Sequence, residues 1–120
     1  MFLDTRTKIV PLHELSERLQ GRAAHHLSGH FDPLLAEHVR RLAEAREPGR
    51  LLVVEVTNPA QPLLAQRARA ELVAALSMVD YVLLGDGDAG ADADITERFI
   101  EHVVESHNHT GPNRAQESRR

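Results

Sequence analysis

Near the start of the chain, Leu12, Leu15 and Leu19 repeat at the three-and-four spacing of one helical face, and Gly21 stands where a helix ends. The run Arg22 to Ser28 then reads as a short strand, despite His25 and His26, and delivers the chain to a turn at Ser28-Gly29. From Pro33 or Leu34 to Glu47 the residues Leu34, Leu35, His38, Val39, Leu42 and Ala45 line one stripe. Asp32 is the expected N-cap of that helix, Pro33 its first residue and Pro48-Gly49 its stop.

The β-branched run Leu51 to Thr57 has the length of a buried strand and ends at Asn58-Pro59. Gln61 to Met78 predicts a second long helix with Leu64, Ala68, Leu72, Ala75 and Leu76 as its apolar positions, and Val79 to Leu84 predicts a third strand. Ile95, Phe99, Ile100, Val103 and Val104 mark a last helix over Ala93 to Ser106. The polar residues from His107 onward are too poor in core formers to pack and are expected to be disordered.

Strands alternating with helices imply a parallel sheet, because parallel neighbours need a long crossover. The expected class is therefore α/β: a truncated Rossmann-like three-layer sandwich, its parallel sheet of about three strands flanked by helices, forming one domain over residues 1–106 with a tail at 107–120. Ligands of such sheets bind outside the carboxyl ends of the strands. Here that rule brings together Ser28 to Asp32, Thr57 to Gln61 and Gly85 to Asp88.

Composition narrows the chemistry. The formal net charge is -4, so no general attraction to nucleic acid or an anionic membrane is expected. Aromatic residues make up 3% of the chain, which leaves little for stacking on single-stranded nucleic acid. With no cysteine there is neither a disulfide framework nor a thiolate metal site, and a cytoplasmic setting is expected. Neither an export signal nor an apolar span is read in the chain.

The segment Gly29-His30-Phe31-Asp32-Pro33-Leu34-Leu35-Ala36-Glu37-His38 resembles the Gly-x-Phe-Asp-x-Leu-His-x-Gly-His signature of the cytidylyltransferase-like nucleotidyltransferases. The similarity extends over Lys8-Ile9-Val10, Val39 to Arg46, Arg50 to Val56, and Arg69 to Val82, and it is nearest to the adenylyltransferase domain of heptose-phosphate proteins. It implies a site for ATP or CTP with magnesium and transfer of a nucleotidyl group to a phosphorylated sugar or polyol, releasing pyrophosphate. By position, His38 would be the catalytic residue, and Gly29, His30, Phe31, Asp32 and Arg69 would meet the nucleotide.

Leu35 stands in place of the first motif histidine and Glu37 in place of the motif glycine. Phosphoryl transfer calls for donors and positive charge around the reacting phosphate. Leu35 donates nothing from its side chain, and Glu37 brings a carboxylate toward polyphosphate. The loop Asn58-Pro59-Ala60-Gln61-Pro62 offers no basic residue, the sole lysine is Lys8, and the serine/threonine-rich loop that closes over the nucleotide in the family has no counterpart after the third strand. The expectation is a degenerate domain, weak or inactive as an enzyme, that binds a nucleotide or sugar phosphate or serves assembly. An active nucleotidyltransferase is the alternative.

Other readings stay open at this point. Asp32 can be a cap or an acid near phosphate, and His38 can be packed or a ligand. His25 and His26 are neighbours on a strand and cannot face one ion. Asp86, Asp88, Asp92 and Asp94 lack the register of a calcium loop. No metal site is expected in the chain, and His102, His107 and His109 are expected to be solvated. A first strand lying at an open sheet edge would favour pairing with a second copy, hence an expected homodimer that buries this edge or the apolar helix faces beside it.

Overall fold

The computed structural model describes residues 4–86 and 96–100. A 3-10 turn over Thr5–Lys8, capped by the Asp4 carboxylate accepting from the Arg6 amide, leads into helix α1, Leu12–Leu19. This helix ends as its sequence requires, with Gln20 and Gly21 both in the left-handed region at φ 53 and 79°. Strand β1 is Ala24–Gly29, helix α2 Ala36–Ala45, strand β2 Leu51–Val56, helix α3 Gln66–Ala74 and strand β3 Tyr81–Leu84. A last strand, β4, spans Thr96–Ile100.

The sheet order is β3-β2-β1-β4. The first three strands are parallel, with Ala24 opposite Leu51 and Val53 opposite Tyr81, as the alternation of strands and helices predicts. Period-two burial then divides the core. On one face Leu27, Leu52, Val54, Val56 and Val82 pack with Leu42 and Ala45 of α2 and with Ala70, Val73 and Ala74 of α3. On the other, Ala24, Leu51, Val53 and Leu83 pack with Leu15 and Leu19 of α1. The result is a three-stranded parallel sheet flanked by helices, consistent with a truncated Rossmann-like fold.

Three expectations are corrected. Residues 96–100 form a strand, not part of a helix, and β4 runs antiparallel to β1 with Ala24 opposite Ile100 and Ser28 opposite Thr96. Periodicity in Ile95, Phe99 and Ile100 favoured a helix, but a strand beside β1 satisfies backbone groups that an open edge would leave to water. The remainder of that predicted helix, the tail and the aspartates from Asp88 onward lie outside the described residues. With β4 in place, the edge of β1, one of the two surfaces expected to pair with a second copy, is covered. The opposite edge is partly covered as well, by a parallel bridge between Ile9 and Val82 and the bond from Val10 N to Val82 O at 3.0 Å.

Helix α3 is shorter than predicted and turned about its axis. Its buried face is Arg69, Ala70, Val73 and Ala74, whereas Ala68, Leu72 and Ala75 of the predicted stripe face solvent. A fully buried arginine defeats an apolar-stripe reading, because the pattern assigns it to the surface. The third correction concerns α2, which begins at Ala36 with Leu35 as N-cap rather than at Pro33 with Asp32 as cap. None of the helices described is long and apolar enough to cross a membrane.

At the carboxyl end of the sheet, Gln66 Nε2 donates to both Val56 O at 2.9 Å and Gly85 O at 2.8 Å, tying β2 to the residue that follows β3. Gly85 has no room for a larger residue, since an added Cβ would fall onto the Glu55 carboxylate and lie 3.0 Å from Thr57 Cγ2. Gly85→Ala is expected to destabilise the fold by about 1–3 kcal/mol, as overpacking does. Urea denaturation checks this, and an unchanged midpoint would show that Glu55 yields without cost.

Candidate functional site

The chain leaves β1 at Gly29, paired with Val56, and immediately enters an unusual conformation. Phe31 has φ 50°, the left-handed region that a bulky side chain rarely adopts, at a cost of about 1–3 kcal/mol. Burial of its ring holds it there, packed edge-on against the His38 imidazole with centroids 5.5 Å apart and planes at 83°. The Asp32-Pro33 peptide bond is cis.

Asp32 turns away from α2 and across to the loop after β2. Its Oδ2 accepts from the Leu63 amide at 2.7 Å and its Oδ1 from the Leu64 amide at 2.9 Å. Two amides and a nearby cation hold a carboxylate better than one cap bond, which explains why the predicted N-cap does not form. His38 takes over at the helix start: the Leu35 N–H donates to His38 Nδ1 at 2.9 Å. Because Nδ1 accepts, the neutral ring carries its proton on Nε2 and is a donor there.

Arg69 is the cation beneath this loop. It is 0% exposed, and its guanidinium donates to Leu64 O at 2.9 Å, His30 O at 2.8 Å, Thr57 O at 2.7 Å and Asn58 Oδ1 at 2.6 Å, with Asp32 Oδ1 3.8 Å from its Nε. One side chain thus binds the motif loop to the whole turn between β2 and α3. The position expected to meet nucleotide phosphate instead points into the protein. His30 joins the same two loops from above, its Nδ1 2.9 Å from Thr57 Oγ1.

Between these loops lies a cleft of about 490 Å³. One wall carries His30, Pro33, Leu35, Glu37 and His38, and the other Pro59, Gln61 and Leu63, with Phe31 and Asp32 at the base. The size suits a small organic ligand. Its position outside the carboxyl ends of β1 and β2 is the one the topology predicts. Of the sequence-predicted residues, His30, Phe31, Asp32 and His38 line it, while Gly29 and Arg69 support it without lining it. Gly85 and Asp86 do not join this cleft and instead border a separate hollow of about 430 Å³ near Leu12, His26 and Glu55.

Sequence reasoning missed Leu63, whose side chain stands 77% exposed at the cleft, opposite Leu35, which is 54% exposed at the other lip. The signal for Leu63 was present as an apolar residue outside the predicted stripe of its helix, whereas Leu35 was assigned to a stripe that its exposure shows it does not join. Among the described residues the lining contains neither lysine nor arginine, and Glu37 places a carboxylate in the first turn of α2. A protein-held magnesium ion does not fit the residues present. Asp32 already accepts from two amides, and among the described residues there is no group of three histidine, cysteine or acidic side chains that could hold a metal.

His25 and His26 separate as strand geometry demands. His25 Nδ1 lies 3.1 Å from Ala45 O at the end of α2, and His26 Nε2 lies 3.2 Å from Glu55 Oε1 on the face covered by α1.

No family model matches the chain. It is 37% identical over 81 residues to the bifunctional protein HldE of Syntrophotalea carbinolica, covering 60% of this chain and 16% of that protein. The HldE protein of Geobacter sulfurreducens is 37% identical over 82 residues, covering 61% and 17%, and that of Helicobacter pylori 32% identical over 93 residues, covering 70% and 20%. The chain therefore spans a sixth to a fifth of the length of these relatives, and it is homologous to one part of them.

Proposed function

We propose that this chain is an adenylyltransferase-like domain, of the kind found in the bifunctional proteins of heptose synthesis, that keeps a nucleotide-derived binding cleft and has lost nucleotidyl transfer. The observation that carries this reading is the cleft itself. It stands where the fold puts a nucleotide and retains His30, Phe31 and His38, yet its walls hold no lysine or arginine among the described residues and Glu37 supplies a carboxylate. Transfer from a triphosphate draws most of its acceleration from charge stabilisation at the phosphoryl group. Loss of one preorganised donor commonly costs about 10²- to 10³-fold, and two motif positions depart here.

Binding asks for less than catalysis, and the cleft is built to bind. Asp32, Arg69 and His30 fix both loops before any ligand arrives, so little ordering entropy is lost on association. The acidic, cysteine-free composition fits a cytoplasmic setting. A second reading, residual transfer activity, is favoured by one feature only: His38 presents a protonated Nε2 at the motif position.

The test of binding is a titration of the 15N-labelled chain with ATP and with CTP, each with magnesium. Amide shifts confined to residues 29–38 and 59–64 are expected for at least one of them. Shifts elsewhere, or none at millimolar ligand, would contradict the reading.

A further inference from the structure

Phosphate is held by cations, helix-terminal amides and loop N–H groups. In this cleft several of these have been spent or removed. Pro33 and Pro59 have no N–H to offer. The Leu63 and Leu64 amides are donated to Asp32, and the Leu35 amide to His38. Arg69, the nearest guanidinium, is consumed by four internal acceptors beneath the surface. Glu37 lies in the first turn of α2, where its carboxylate complements the helix dipole as a bound anion would.

The cleft presents apolar surface on both walls, from Leu35 and Pro33 on one side and Leu63 and Pro59 on the other. Beside it stand groups suited to a polar but uncharged edge: the Gln61 amide, the Glu37 carboxylate and the His30 and His38 imidazoles. Flat apolar faces with a hydrogen-bonding rim describe a heterocyclic base, and a carboxylate at the rim accepts from the amino or hydroxyl groups of a nucleoside. We propose that the cleft selects a nucleoside over the corresponding triphosphate, with Glu37 setting that selection. This inference rests on the reading of the cleft as a nucleotide-derived site and names the part of the nucleotide it keeps.

Calorimetric titration of the full chain with adenosine, cytidine, ATP and CTP, the last two with magnesium, tests it in the wild type and in Glu37→Gln. At least one nucleoside is expected to bind about tenfold more tightly than its triphosphate. In Glu37→Gln, whose exposed side chain keeps its shape but loses its charge, triphosphate affinity is expected to rise about tenfold while nucleoside affinity stays within about twofold. A wild type that binds a triphosphate as tightly as its nucleoside, or more so, overturns the inference and leaves nucleotide binding standing. A gap unchanged in Glu37→Gln overturns the assignment to Glu37. Absence of binding by all four ligands overturns the nucleotide-derived reading together with the inference.

Discussion

Arg69→Met is expected to be among the most destabilising single changes in this protein, costing about 3–5 kcal/mol, since each buried acceptor left unsatisfied costs about 1–3 kcal/mol and several lose their donor together. The methionine nearly fills the volume and leaves the rest of α3 intact, so the loss reports the guanidinium. Without it the carbonyls of His30, Thr57 and Leu64 lose a donor inside the protein, and the Asp32 carboxylate, 6% exposed, loses its only nearby cation among the described residues. Arg69→Lys should recover a minor share, because one ammonium cannot span acceptors on both loops and in Asn58.

Denaturant unfolding measures these losses, and a double-mutant cycle with Asp32→Asn separates the ion pair from the carbonyl bonds. At 3.8 Å the Asp32 pair is the longest of the Arg69 contacts, so most of the loss should persist in the Asp32→Asn background. A cost below about 1 kcal/mol for Arg69→Met would refute the claim that this residue locks the two loops.

The second large effect is a gain. Restoring the motif with Leu35→His and Glu37→Gly is expected to raise the affinity for ATP or CTP with magnesium by about 10- to 100-fold. A charge-assisted hydrogen bond contributes about 1.5–3 kcal/mol, and each 1.4 kcal/mol is tenfold in affinity. Leu35 is 54% exposed and Glu37 is also exposed, so neither change empties the core. Glycine within the first turn costs about 1 kcal/mol of helix stability, which a thermal melt would register separately. An affinity that fails to rise in a folded double variant would mean that these two residues do not limit phosphate binding.

Much of this could be read in the chain because its local signals agree with the fold. The spacing in Leu12–Leu19, the β-branched run from Leu51 and the turn at Pro48-Gly49 each specify one element without help from distant residues. The motif segment placed the cleft, since its residues sit directly after a strand that the topology aims at the crevice. The failures are tertiary. Asp32 is a good N-cap by type, but amides 31 and 32 residues further on hold it more firmly than its own helix can. Arg69 looks like surface charge, and only the convergence of four acceptors from two loops makes its burial favourable. The residues over Thr96–Ile100 form a strand because the edge of β1 is available, a fact that no window of sequence contains.

On the reading proposed above, the fold and its cleft persist while the transfer chemistry does not. Pyrophosphate release from ATP and from CTP, with magnesium and a panel of sugar and polyol phosphates, tests it most directly. Release indistinguishable from that without protein is expected, in the wild type and in His38→Ala alike. Turnover in the wild type that is lost in a folded His38→Ala variant would contradict that reading.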